Sequence, residues 1–322
     1  MQRRSCLAAA LAAAGTAASP WLRAQDRYPS RPITLICPWP TGGSSDAVMR
    51  AFAESASRQL GVAVVVENRP GAGGTLGASA MLGARPDGYT LTQLPLGVYR
   101  LPHMQKMAFD PLRDLTHVIG LTGYTFGIVC SPDAPFKTLK EMVAWARAHP
   151  GRLTYGHTGA GTTPHLAFEE FAHQAGFSTQ DVPYKGSAEI LQAILGGHVP
   201  VMSGTLEFLP HVKSGKLRFL ATLGRERNRA FPEVPTVRES GWDTVIVSPF
   251  GIGAPRGLDP QVTRVLHDAF KKTLEDPRML EVLERYHQPV IYMSSEDYGR
   301  YAQRTFEAER QTIARMGLAR KD

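Results

Sequence analysis

From Ile33 onward the chain alternates short apolar runs with stretches of helical period, and this alternation confines it to an α/β fold built mostly on parallel strands. Ile33 to Cys37, Val62 to Val66, Tyr89 to Leu94, Leu153 to Tyr155, Val199 to Met202 and Leu217 to Ala221 read as strands. Between them Val48, Phe52, Ala56 and Leu60 recur at every fourth residue, and Ile190, Leu191, Ile194 and Leu195 share one face between Ser187 and Gly196. Those spacings predict amphipathic helices with recognisable ends. Val262 to Leu274, Pro277 to Arg285 and Ser295 to Ala314 add helices rich in strong helix formers. No internal repeat or long linker interrupts the pattern.

At 322 residues the chain can build two domains of ordinary size. Residues 1–24 are expected to be removed first. Arg3 and Arg4 precede an uncharged, Ala-rich stretch from Ser5 to Leu22 that closes on Leu22-Arg23-Ala24, the layout of a cleavable export signal. Its apolar middle, Leu7 to Ala18, is about a dozen residues, short of the roughly 20 that span a bilayer. The arginine pair is compatible with the twin-arginine route, and Cys6 lies too early, without a Leu-x-x-Cys context, to carry a lipid anchor. The expected product is a periplasmic monomer that begins near Gln25. Loss of Arg3, Arg4 and Arg23 lowers the formal net charge from +7 to +4. No run of five like charges occurs, so no nucleic-acid partner is implied. Cys37 and Cys130 each end an apolar run, which favours two buried free thiols over a disulfide.

The residues suited to holding a ligand collect at strand-to-helix junctions. Trp39, Thr41, Gly42, Gly43, Ser44, Ser45 and Asp46 follow the first strand, and Gly73 lies in the glycine-rich turn from Gly71 to Thr75. His157, Thr158, Gly161, Thr162 and Thr163 precede Pro164 at a first helical position, and Tyr184 opens the turn Tyr184-Lys185-Gly186-Ser187. Free N–H groups and the positive end of the helix dipole gather at such junctions, which makes each an anion cradle. In doubly wound sheets these loops lie at the carboxyl ends of the strands, where ligands bind. Their division between two halves of the chain predicts a cleft with cradles on both walls.

Catalytic patterns are missing. Gly71 to Gly77 fits the spaced glycines of some NADP-binding turns, but it follows Glu67-Asn68-Arg69-Pro70 instead of running straight off a strand, and no acidic ribose-binding residue follows. There is no Gly-x-Ser-x-Gly elbow, no His-Glu-x-x-His and no cysteine pair at zinc spacing. Ser44, Ser45 and Asp46 are adjacent and so point apart, and His165 and His173 fall about 80° apart around a helix. No catalytic residue, metal ligand or cofactor is assigned. NADP-dependent and hydrolytic activities stand as the weaker alternatives to a binding protein.

Taken in order, several short motifs resemble the Bug-type extracytoplasmic receptors of tripartite tricarboxylate transporters. They are Tyr28-Pro29-Ser30-Arg31-Pro32-Ile33 with Pro38 to Asp46, Asn68 to Gly74, Pro86-Asp87-Gly88-Tyr89, Asp110 to Leu115, Tyr155-Gly156 with Gly161-Thr162, Val182 to Ser187, Leu195-Gly196-Gly197 and Pro232 to Thr236. The resemblance implies a two-lobed periplasmic-binding-protein type II fold, each lobe a doubly wound sheet, joined by two crossing strands near Gly123-Tyr124 and Val247-Ser248. Lobe one would comprise residues 27–123 plus 247–322, and lobe two residues 124–246. It also implies a carboxylate ligand gripped by backbone groups and hydroxyls, with integral membrane transporter subunits as partners. A sensor protein that docks on the loaded receptor is the alternative partner.

The chain departs from the family's pattern at His157-Thr158, where Ser-Ser is frequent, and at Val98-Tyr99-Arg100, where small or polar residues are usual. Trp39 replaces a common Phe, and Ser203-Gly204 stands where an Asp is frequent. Tyr99, Arg100 and Gly204 therefore join the expected ligand contacts. A guanidinium matches a carboxylate with forked donors, so Arg100 is expected to pair with the ligand. Loss of an acceptor at Gly204, with added cationic and aromatic groups, favours a di-acid or an aromatic acid over an amino acid.

Overall fold

The computed structural model describes residues 28–320, and the expected export signal at residues 1–24 lies outside them. The chain first lays down β1 (Ile33–Cys37), α1 (Ser44–Leu60), β2 (Val64–Asn68), α2 (Leu76–Ala80), β3 (Thr90–Leu94), α3 (Gly97–Met104) and β4 (Leu115–Tyr124). It continues as β5 (Phe126–Cys130), α4 (Leu139–Ala148), β6 (Leu153–His157), α5 (Thr163–Gln174), β7 (Thr179–Pro183), α6 (Ser187–Leu195), β8 (Val201–Thr205), α7 (Leu209–Lys213) and β9 (Arg218–Thr222). The remainder forms β10 (Ser248–Pro255), α8 (Pro260–Thr273), α9 (Pro277–Arg285), β11 (Val290–Met293) and α10 (Ser295–Arg315). Among the described residues no helix is long and apolar enough to cross a membrane.

The strands form two sheets, one in each lobe, ordered β11-β4-β10-β3-β1-β2 and β7-β6-β8-β5-β9. The pairs β1–β2, β1–β3, β6–β7 and β6–β8 are parallel, as the strand–helix alternation predicts. Both sheets are nonetheless mixed, because β10 runs antiparallel to β3 and β4, and β5 antiparallel to β8 and β9. The reason lies in connectivity. Only Thr125 separates β4 in the first sheet from β5 in the second, and the chain comes back from β9 to β10. A strand entering a sheet from the opposite lobe arrives against the grain of its neighbours.

Helix α1 shows how sequence fixes the layers. Val48, Met49, Phe52, Ala53 and Ala56 are buried on its inner face, with the Phe52 ring edge-on to Phe270 of α8 at 4.9 Å between centroids. The helix stops at Gly61, whose φ of 71° is the left-handed conformation that glycine adopts without steric cost. Cys37 and Cys130 are buried and free, as apolar strand ends predict.

Candidate functional site

Four helices, α1 and α3 from the first sheet and α5 and α6 from the second, begin at a shared cavity of about 310 Å³. That size suits a small organic ligand. The loop after β1 supplies Trp39, Pro40, Thr41, Gly43 and Ser45, and Gly73 adds backbone from the next turn. Pro95, Leu96 and Gly97 come from the start of α3. Across the cleft, Thr158, Thr162, Thr163 and Pro164 surround the start of α5, while Gly186, Ser187, Ala188, Glu189 and Gln192 surround that of α6. Tyr124, Phe126, Thr205 and Ser248 close the floor.

Several features hold this wall in shape. The Trp39 ring lies so close to Gly74 that a Cβ there would sit 2.8 Å from the indole, and Gly74 has φ 87°. Only glycine satisfies both demands. The Ser45 hydroxyl meets the Tyr124 hydroxyl at 2.8 Å, and Gln93 donates to the same Tyr124 oxygen at 2.7 Å. Burial pushes the Tyr124 phenol well above its ordinary value, so it stays a neutral hydroxyl. Neither α1 nor α6 has a side-chain cap, because Gly43 and Gly186 occupy their N-cap positions. The absence of a Cβ also lets the lobes meet: one on Gly43 would stand 3.3 Å from the Ser187 hydroxyl, and one on Gly186 would stand 2.9 Å from the Pro40 ring.

Of the residues expected from sequence, Trp39, Thr41, Gly43, Ser45, Gly73, Thr158, Thr162 and Thr163 line the cavity. The others lie elsewhere, each for a visible reason. Gly42 and Asp46 are tied to each other, the Gly42 N–H donating to Asp46 at 3.1 Å. Asp46 also accepts from Arg50 at 3.0 Å and Asn68 at 2.8 Å. Burial raises the Asp46 carboxyl, but these donors outweigh it and hold the group below its ordinary value. The Ser44 N–H donates across the cleft to Glu207 at 3.0 Å, and its hydroxyl donates to Thr205 at 3.3 Å. Tyr99 is fully buried in the core beside Tyr298 and Tyr301. Gly204 sits inside β8, where a Cβ would strike Met202 at 2.5 Å. Tyr184 packs in the second-lobe core, and Gly161 abuts Leu101 of α3.

Arg100 and His157 were expected to bring positive charge to a ligand, and both are engaged otherwise. Arg100 is 5% exposed and donates through Nε to Glu309 at 2.6 Å and through Nη2 at 3.2 Å. Its Nη1 reaches across to the Gly161 carbonyl and the Thr163 hydroxyl, both at 3.3 Å. His157 is fully buried, with Nε2 3.0 Å from Asp181 and Nδ1 accepting the Gly159 N–H at 3.1 Å. His165 likewise accepts the Gly161 N–H through Nδ1 at 3.2 Å. These two histidines and Asp181 are close enough to suggest a metal site. The bonding pattern argues otherwise. An imidazole whose Nδ1 accepts a hydrogen bond carries its proton on Nε2, which leaves no lone pair on the Asp181 side for a cation. The pair instead pins the loop that presents Thr158, Thr162 and Thr163.

Sequence reasoning missed Pro40, Pro95, Leu96, Gly97, Pro164, Gly186 to Glu189, Gln192 and Thr205, together with Tyr124, Phe126 and Ser248. A signal for the last three existed, since strands that cross between lobes pass beside any cleft. Glu207 was also missed, and nothing short of the fold brings it to Ser44.

Residues 48–318 match the model of the family described as tripartite tricarboxylate transporter family receptor. The UPF0065 protein in the gbd 5′ region of Cupriavidus necator is 46% identical over 317 residues, which covers 98% of this chain and 97% of that one. Protein BugT of Bordetella pertussis is 35% identical over 265 residues, 80% of each chain. Among solved structures, periplasmic binding protein BugD superposes with a TM-score of 0.86 at 26% identity, over 91% of this chain and all of that one. MatC from Rhodopseudomonas palustris with bound malate gives 0.83 at 26% identity, over 89% of this chain and all of that one. A second R. palustris protein, with adipate, gives 0.85 at 28% identity, over 91% and 99%. With the family's pattern matched over most of its length and a relative 46% identical almost end to end, the chain belongs to the Bug-type receptors of the tripartite tricarboxylate transporter family.

Proposed function

We propose that the protein is a periplasmic receptor that captures a small carboxylate between its lobes and delivers it to integral membrane transporter subunits. The reading takes lobe one as residues 27–123 plus 247–322 and lobe two as 124–246. One observation carries it: four helix N-termini, two from each sheet, converge on one cavity whose wall is mostly hydroxyls, glycines and apolar side chains, with no cationic side chain among the described residues. Such a site binds an anion through oriented N–H groups, and both lobes are needed to complete it. Relatives of the same fold hold malate and adipate, both carboxylates. The apolar surface of Trp39, Tyr124 and Phe126 suits the hydrocarbon part of a di-acid or an aromatic acid.

A thermal-shift screen of the mature protein against mono-, di- and tricarboxylates, aromatic acids and amino acids tests the reading. A ligand at about 100 times its dissociation constant adds roughly 2.7 kcal/mol of stability. Hits confined to carboxylates are expected, with the radius of gyration falling as the lobes close. Stabilisation by no carboxylate, or by amino acids above all others, would overturn it.

A further inference from the structure

The cavity is electrically lopsided. Among the described residues no Lys, Arg or His lines it, and Glu189 is the one formally charged residue on the wall. Helices α1 and α6 each carry an acidic residue in the first turn, Asp46 and Glu189, and share a third. Glu207 follows β8 and accepts the Ser44 N–H of α1 at 3.0 Å, with hydrogen bonds from Thr205 and from Ser187, the first residue of α6. Its carboxylate thus stands between two helix N-termini, directly behind the wall residues Thr205 and Ser187, and uses donors that a ligand anion at that end would need. Among the described residues Glu207 has no ion-pair partner; its Oε2 accepts from Ser44 and Thr205, while its buried Oε1 has no hydrogen-bond partner.

The opposite end of the cavity differs. Helices α3 and α5 have no acidic residue in their first turns. The amides of Gly97 and Thr163, both on the wall, have no partner among the described residues. The Thr158 hydroxyl donates to Thr162, whose hydroxyl donates in turn to the Gly159 carbonyl. With the Thr158 and Thr162 hydroxyl protons spent inside the loop, the Gly97 and Thr163 amides and two helix dipoles are what that end offers an anion. A ligand with two carboxylates would set its second charge against Glu189 and Glu207 with no cation between them, and like charges in a partly dry site repel strongly.

We propose that this receptor selects a small carboxylate of single negative charge, its carboxylate at the α3–α5 end and its uncharged body against α1 and α6, with Glu207 as the residue that excludes a second anion. The proposal rests on the carboxylate-receptor reading and narrows it to one ligand charge. It places an aromatic or aliphatic mono-acid ahead of the corresponding di-acid.

Titration calorimetry of the mature protein with matched pairs, hexanoate against adipate and benzoate against terephthalate, tests it. The mono-acid of at least one pair is expected to bind ten-fold or more tighter than its di-acid. Glu207→Gln, which keeps the acceptor for Ser44 but removes the charge, is expected to narrow that gap at least three-fold. Should Glu207→Gln fail to fold, Glu189→Gln on the exposed part of the wall is expected to narrow it in the same direction. A di-acid that binds as tightly as its mono-acid partner in the wild type overturns the charge selection and leaves the carboxylate reading in place. A gap unchanged in the variants overturns the role of the resident acids. Binding by neither acid of any pair overturns both readings.

Discussion

Two charged side chains reach across the cleft, and they do so in opposite electrical circumstances. Arg100 crosses from α3 to the loop before α5 with its charge matched by Glu309, the pair at 2.6 Å and with side chains 6% and 13% exposed. Glu207 crosses from the end of β8 to the start of α1 and meets only N–H and hydroxyl dipoles. The paired residue therefore adds structure and almost no field. The unpaired one sits there at a net cost in stability, since burial pushes its carboxyl up despite the hydrogen bonds it accepts, and its buried Oε1 has no partner. Charge near a cleft is thus a poor guide to ligand contact until its partner is known. Arg100 looks from sequence like the ligand's counter-ion, yet it is paired with Glu309, and the formally charged residue on the wall is the acid Glu189.

The largest test of this contrast is removal of Arg100. Arg100→Ala leaves the largely buried Glu309 carboxylate without its partner, which costs up to about 3–5 kcal/mol. The melting temperature is expected to fall by on the order of 10 °C. Replacing both partners by apolar residues, Arg100→Met with Glu309→Leu, is expected to recover most of that loss, because no unpaired charge remains. Denaturant unfolding of Arg100→Met, Glu309→Leu and the double variant measures the coupling directly. A single-variant loss under about 1 kcal/mol would show a solvated arginine, free to turn toward a ligand.

A smaller effect is expected at the Glu207 end, where Gly186 lets α6 approach Pro40. Its φ of −168° is extended backbone that any residue adopts, so Gly186→Ala adds a Cβ without strain. That Cβ meets a proline ring at 2.9 Å, and a ring cannot swing aside as a flexible chain would. The lobes are expected to be held slightly apart, which weakens ligand binding about ten-fold, or roughly 1.4 kcal/mol. Unfolding stability is expected to change by less than about 0.5 kcal/mol. Equal affinity in calorimetry would mean that the lobes grip the ligand without touching at this end.

The sequence made the first lobe's half of the site largely legible and the second lobe's half much less so. Around β1 the strand, the glycines and the helix period coincide, and five of the seven residues from Trp39 to Ser45 line the cavity. Around β7 the strand itself was hidden, since Thr179 to Pro183 is a polar edge strand without alternation of apolar residues. Without that strand, Tyr184 stands out as the aromatic of its loop, whereas Gly186 and Ser187 are the residues that line the cavity. The ten-residue strand β4 is not legible from periodicity, and only the family resemblance places a crossing near Gly123-Tyr124. Tyr99, Arg100 and His157 share a different cause. Local spacing places them near the cleft, but their orientation depends on Tyr298, Glu309 and Asp181, which only the tertiary fold brings within reach.

The smallest expected effect is a difference in pH slope between two acids at the start of α1. Burial pushes the Glu207 carboxyl above its ordinary 4.5, against the hydrogen bonds from Ser187 and Ser44 that pull it down. Asp46, with the Arg50 guanidinium beside it, is held below its ordinary 3.8 despite its burial. An acid whose folded value is raised holds its proton more tightly in the native state. Its contribution to stability is greatest below 4.5 and is lost as pH rises through the folded range. An acid whose folded value is lowered does the reverse, contributing above 3.8 and losing that contribution as pH falls. Glu207→Gln is therefore expected to gain stability relative to wild type as pH rises from mildly acid to neutral, by less than about 1 kcal/mol. Asp46→Asn is expected to lose stability at neutral pH and to flatten the acid limb. Urea unfolding of the three proteins across that range reads both slopes. If Glu207→Gln behaved like Asp46→Asn, a cation would have to be neutralising Glu207, and the contrast between the two residues that cross the cleft would be gone.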